Sequence, residues 1–203
     1  MRSDYVKSDA LRLLINSMQY ENGLALRVSL ETGLRIGDVL KARPSDLKGT
    51  KLSYVAQKTG KAGVKTLSKS LANALRRISG ADWIFEGRGK SKTGHRTRQT
   101  VYLDLKKVCK RLGVDGQISP HSARKSFAVA DFREHGLDHV KKELQHDQDS
   151  VTMLYALSDL LSGASYDDQS GENQSLLIEI HTIVTELLQI VRKLAAALLY
   201  DES

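Results

Sequence analysis

Amid stretches of helical periodicity the chain carries one pair of strand-like segments, and that pairing limits the folds open to it. Residues 51–56 alternate in polarity, Lys58-Thr59-Gly60-Lys61-Ala62-Gly63 is rich in turn formers, and residues 64–67 can return as a second strand. Before the hairpin, residues 6–18 predict an amphipathic helix capped by Ser8 or Asp9. A second helix is expected over about 24–31, stopping near Gly33, and a short helical turn over 37–42 ends at Pro44. After the hairpin, helices are expected over 70–78 and 99–112, with a short buried stretch at 83–85 and a Gly/Lys/Arg-rich loop over 87–98. Ser119-Pro120 is a strong helix start, with Ser as cap and Pro in the first helical position; that helix runs to Glu134 and ends at His135-Gly136. Two more are expected over 138–145 and about 150–157. The fold class is therefore mainly α with a small antiparallel β-hairpin (α+β).

The end of the chain reads as a separate object. Residues 161–174 are polar, small and acidic, as in a linker. Over 175–203, Leu176, Ile180, Ile183, Leu187, Ile190, Leu194 and Ala197 repeat at alternating spacings of four and three, the pattern of a coiled-coil seam. Leu177, Val184, Leu188, Val191 and Leu198 widen that stripe. A helix of roughly 28 residues would span about 40 Å. With so much apolar face it must pack on something, either its own domain or, since the linker separates it from the body, another copy of the chain.

Charge is divided in the same way. Residues 1–158 hold 29 Lys/Arg against 16 Asp/Glu, while residues 159–203 hold 2 against 8. A basic body suits a polyanionic partner, though solubility alone would also account for it. The single cysteine, Cys109, excludes an internal disulfide framework and a cysteine-rich zinc module, and suits a reducing compartment. The longest purely apolar run, 194–200, is too short to cross a bilayer, and the N-terminal residues lack a secretion signal. A cytoplasmic protein without membrane contact is expected.

Several polar residues fall at the ends of expected elements. His121 and Arg124, three apart, share one face of a first helical turn that also offers unpaired N–H groups and the positive end of the helix dipole. An imidazole, a guanidinium and a helix N-terminus together make a phosphate receptor; a plain surface pair is the alternative. Arg35 sits between Gly33 and Gly37 in a tight turn where Asp38 could fix its guanidinium, unless it is simply a solvated arginine. Lys58 lies at the hairpin tip, able to reach into a groove or merely to blunt a sheet edge. Tyr155 follows His146 by nine residues, close enough for its hydroxyl to reach a neighbouring site, although an aromatic filling the core is the commoner case.

The order of these elements says more than any one of them. Thr32-Gly33-Leu34-Arg35-Ile36-Gly37-Asp38, then Lys58-Thr59-Gly60-Lys61, then His121-Ser122-Ala123-Arg124, then Leu144-Gln145-His146 with Tyr155 beyond, resembles the tyrosine recombinases (the phage integrase family). The resemblance covers about residues 5–160, so residues 1–160 are expected to be the family's catalytic domain. Gln145 stands where a glycine is usual, and Lys125-Ser126 replaces a common His-Thr. The family's N-terminal core-binding domain is expected to be lacking, either because the chain is a compact member like the small fimbrial invertases or because it is shortened.

The resemblance implies site-specific recombination of double-stranded DNA through a 3′-phosphotyrosine intermediate. Tyr155 would attack the phosphate, Arg35 and Arg124 would hold its non-bridging oxygens, and His121 would assist proton removal from the tyrosine. Lys58 would protonate the leaving 5′-oxygen, and His146 would donate a further hydrogen bond. No cofactor or metal is expected, because two guanidiniums supply the charge that a divalent ion supplies elsewhere. The basic loop, with Arg88, Lys90, Lys92, Arg96 and Arg98, is expected to contact phosphates. The expected assembly is a homo-oligomer, up to a tetramer on DNA, joined by the C-terminal helix. Two other readings stay open: a DNA-binding regulator or type IB topoisomerase-like protein without full recombination, and an adaptor built around the coiled coil.

Overall fold

The computed structural model describes residues 3–87 and 94–144. Seven helices and a small sheet follow in order: α1 (Ser8–Asn16), α2 (Tyr20–Thr32), α3 (Ile36–Leu40), a 3-10 turn (Pro44–Asp46), β1 (Leu47–Lys48), β2 (Lys51–Val55), β3 (Ala62–Thr66), α4 (Lys69–Ile78), α5 (Arg98–Arg111), α6 (Pro120–His135) and α7 (Leu137–Leu144). The expected helix at 150–157, the linker at 161–174, the C-terminal helix at 175–203 and residues 88–93 of the loop that begins at 87 lie outside the described residues. No helix among the described residues is long and apolar enough to cross a membrane.

Helix α2 is the hub. It is buried on nearly every side, with Asn22, Gly23, Leu24, Ala25, Leu26, Val28, Ser29 and Thr32 all inside, and it packs against α1, α3, α4, α5 and α6. A helix enclosed in this way has no polar stripe to show its register. It begins at Tyr20, a turn earlier than its apolar residues indicate, because long-range contacts hold that turn. The Asp104 carboxylate of α5 accepts from the Gln19 backbone N–H at 3.0 Å and from Asn22 Nδ2 at 2.7 Å. Gly23 is required there, since a Cβ would stand 2.7 Å from the Ile15 carbonyl oxygen of α1. The helix stops where expected: Gly33 adopts φ 70°, the left-handed cap that glycine tolerates best.

Around this hub Leu11, Leu14, Leu40, Leu71, Leu75, Ile84, Phe85 and Leu105 close one core. The sheet order is β1-β2-β3, antiparallel throughout, with Leu52 opposite Lys65 and Val55 opposite Ala62. The two-residue β1 has too few residues to alternate, so no sequence signal marked it. Inward alternation takes Leu52 into the core and brings the Lys65 stem with it; Lys65 Nζ then donates to the Glu143 carbonyl at 2.9 Å and pairs with the Glu143 carboxylate on α7.

Local rules decide several helix starts. Ser68 caps α4 by accepting from the Leu71 N–H at 3.3 Å, and Thr97 caps α5 by accepting from Thr100 at 3.2 Å. Ser119 and Ser122 cap α6 reciprocally, with Pro120 in its first turn as expected. At α1 the expectation fails: Lys7 is the capping position, and Ser8 and Asp9 lie inside the first turn, where Asp9 still complements the helix dipole.

Candidate functional site

Two turns carry Arg35, His121 and Arg124. The first is the Gly33 reversal. It buries Leu34 and delivers Arg35 in extended conformation to the start of α3, where the Arg35 carbonyl accepts from the Asp38 and Val39 N–H groups at 2.9 and 3.1 Å. The Arg35 guanidinium is half-buried and makes no hydrogen bond or ion pair among the described residues. Asp38 does not fix it, contrary to the sequence reading. Its Oδ1 instead accepts from the Gln57 backbone N–H at 3.1 Å, and Gln57 Nε2 donates to the Gly37 carbonyl at 3.0 Å. The β2–β3 turn is thereby docked against α3, and the adjacent Lys58 stands exposed in it. Gly60, with φ 69°, closes this turn by donating to the Ala56 carbonyl at 2.7 Å.

The second turn is the capped start of α6, which carries His121 and Arg124. Arg124 faces inward from the helix. Its Nη1 donates to the Gly33 carbonyl and its Nη2 donates to the Leu144 carbonyl at 2.8 Å. One guanidinium thus joins the turn before Arg35 to the last residue of α7.

His121 shows how closely these groups gather. Partial burial holds its pKa below the ordinary 6.5, and Arg98, Arg124, Arg35 and Lys125 push it further the same way. The lowered pKa favours the neutral imidazole, whose lone pair can accept a proton. Arg98, Arg124, Arg35 and Lys125 thus all lie near enough to act on His121 through their charge, and such cationic surroundings suit an anion. Lys58 forms no hydrogen bond or ion pair with these side chains among the described residues; its link to them is Gln57. His146 and Tyr155 lie outside the described residues.

The basic loop divides in two. Arg98, in the first turn of α5, is a third guanidinium whose charge acts on His121, a relation set by tertiary packing that spacing along the chain does not reveal. Arg96 is not a phosphate contact. Its backbone N–H donates to the Phe85 carbonyl at 2.7 Å, and its buried side chain reaches Asn22 Oδ1 at 3.1 Å and Glu21 at 3.6 Å. Pairing beside Phe85 turns alternate residues inward, and Arg96 is one of these. Arg88, Lys90 and Lys92 lie outside the described residues.

A helical body with a small three-stranded antiparallel sheet is the fold of tyrosine recombinase catalytic domains. The sequence matches the phage integrase family over residues 5–160, and the chain belongs to that family. Solved structures agree in fold. The XerH site-specific recombinase bound to palindromic difH substrate, in a post-cleavage complex, superposes with a TM-score of 0.64 at 18% identity, over 81% of this chain and 53% of that one. A lambda integrase dimer bound to a COC′ core site gives 0.65 at 18% identity, over 84% and 52%. The catalytic domain of bacteriophage HP1 integrase gives 0.60 at 20% identity, over 84% and 98%. The chain therefore spans about half the length of the XerH and lambda integrase chains and nearly all of the HP1 domain. No curated protein matches the sequence.

Proposed function

We propose that the protein is a site-specific DNA recombinase that cuts and rejoins strands through a 3′-phosphotyrosine. The observation that carries this reading is the match to the phage integrase family over residues 5–160, and the cationic surroundings of His121, which include Arg35, Arg124 and Arg98, support it. The arginines stabilise the charge that builds on the non-bridging oxygens as phosphorus becomes five-coordinate. Tyr155 attacks, its proton passing to His121. A phenol with an ordinary pKa near 10 needs that base at neutral pH. Lys58 gives its proton to the departing 5′-oxygen, His146 donates a further hydrogen bond, and the covalent link conserves the bond for religation.

The reading is tested with a library of nicked duplexes of randomised sequence, on which a covalent protein–DNA adduct is trapped. Adduct is expected in the presence of EDTA, and none with Tyr155→Phe. Binding without adduct in the unaltered protein would favour a DNA-binding regulator. Adduct that persists in Tyr155→Phe would remove Tyr155 as nucleophile.

Desolvation and then the neighbouring cations lower the His121 pKa, and a bound phosphate would offset the part due to the cations. Imidazole titration followed by NMR is expected to give a value below 6.5 for the free protein and an upward shift with duplex DNA bound. A value above 6.5 in free protein would place His121 outside the cationic patch.

Duplex binding rests chiefly on phosphate contacts and should weaken about 100-fold or more between about 50 and about 200 mM salt. Arg98→Ala is expected to lower the slope of log K against log salt by about 1 with stability unchanged. Arg96→Ala should instead lower stability, since it strips a buried partner from Asn22. An unaltered salt slope in Arg98→Ala would remove that contact. Assembly as a homo-oligomer on DNA in the cytoplasm, joined through residues 175–203, completes the proposal; deleting 170–203 should reduce the oligomer measured by light scattering.

A further inference from the structure

The junction between α6 and α7 holds a second group of ligating side chains, to which the phosphate site makes no claim. Asp131 and His135 lie one turn apart on α6, and His139 lies on α7 beyond Gly136. Gly136, at φ 80°, turns the chain so that His139 comes back over Asp131. The Asp131 carboxylate is 8% exposed, and each of its oxygens meets an imidazole: Oδ1 stands 3.1 Å from His135 Nδ1, and Oδ2 stands 3.1 Å from His139 Nδ1. The two rings stack with centroids 4.4 Å apart and planes 31° from parallel. One donor atom from each of the three residues lies within 4.8 Å of the others.

We infer that Asp131, His135 and His139 form a binding site for a divalent transition-metal ion of the zinc type, which ties α6 to α7. Two imidazoles and one carboxylate are the ligand set of such ions, and too poor in oxygen for magnesium or calcium. Ligands at about 2.0–2.1 Å around a tetrahedral ion stand roughly 3.3 Å from one another, close to the oxygen–nitrogen separations already present. In the apo form the ring N–H groups bond to the carboxylate, so the donors are gathered before the ion arrives. On binding, each neutral imidazole moves its proton from Nδ1 to Nε2 and gives its Nδ1 lone pair to the ion. The Glu134 carboxylate stands 3.9 Å from His135 Nε2, on the side to which that proton moves, where it would orient the ring. Water fills the remaining position. Both histidines are about half exposed, so the ion can enter from solvent.

The ion would fix the angle at which α7 leaves Gly136. Its role is structural, so it is compatible with strand cleavage in EDTA. The test uses the full, untagged chain titrated with cobalt(II) as a spectroscopic stand-in for zinc. Expected are the intense visible bands of low-coordinate cobalt, saturating at a single ion per chain with micromolar affinity, and a Tm raised by about 5 °C in excess zinc. His135→Ala and His139→Ala should each abolish the bands and the Tm rise; both side chains are half exposed, so these variants should fold, as circular dichroism would check. His121→Ala should leave both signals intact. Absence of cobalt bands at millimolar metal would overturn the site. So would bands that survive both histidine variants, leaving only a hydrogen-bonded Asp–His pair.

Discussion

Arg124→Ala is expected to reduce covalent adduct formation by at least about 100-fold, the scale of losing one preorganised donor to a developing oxyanion. The loss has two sources. The guanidinium is one of the charges that act on His121, so under the proposed mechanism its removal takes away charge where the transition state gathers it. It also ends the two hydrogen bonds that join Gly33 to Leu144, which releases the turn before Arg35 and the last residue of α7 together. Stability should fall by about 2 kcal/mol, because two carbonyls lose a charged donor at a half-buried position. Arg124→Lys separates the two effects. A lysine restores the charge but cannot span both carbonyls, so its adduct yield should stay near that of alanine. Wild-type yield in the alanine variant would remove Arg124 from the phosphate site. Near-complete rescue by lysine would show that charge alone matters and that the bridge does not.

Gly33→Ala is expected to be the most destabilising single-methyl change in the described residues. At φ 70° an alanine is strained, by about 1–2 kcal/mol. Its Cβ would also stand 2.5 Å from Phe127 Cδ1 and 2.7 Å from Leu144 Cδ2, both on helices packed over the turn. Overpacking of this kind adds about 1–3 kcal/mol. Together they should lower Tm by roughly 10 °C in a thermal melt. Adduct formation should fall as well at temperatures where the protein remains folded, since the same turn sets Arg35. Gly60→Ala is the internal comparison. It shares the positive φ but has open space around it, so only the backbone strain applies and the loss should be a fraction of that at Gly33. Equal losses at the two positions would mean that the contact with Phe127 and Leu144 yields without cost.

Features written by neighbouring residues were the legible ones. The Gly33 stop, the Ser119-Pro120 start, the break at Gly136 and the hairpin that displays Lys58 all depend on φ preference, capping or two-residue alternation within a few positions. The early start of α2 was hidden because its N-terminal turn is held by Asp104, far along the chain. The metal-like trio was hidden for a related reason. Asp131 and His135 show the four-residue spacing of one helix, but His139 joins them only because Gly136 redirects the chain.

The order of motifs from Arg35 to Tyr155 pointed to the family, since side-chain chemistry in a fixed sequence order survives without coordinates, and the match over residues 5–160 bears the family out. It also established a mainly helical chain with one hairpin, because helical and strand periods are local properties. Tertiary structure alone decided which basic residue does what. Arg96 and Arg98 are two apart in the same loop, yet one is drawn under Phe85 to pair with Asn22 and Glu21, while the other stays exposed and acts on His121 through its charge. Likewise Asp38 could have paired with Arg35 next door, but the returning hairpin brought the Gln57 amide to it. Charge is fixed by residue type, but burial and partner are fixed by segments distant in the chain, and these determine whether a cation supports the fold or faces a ligand.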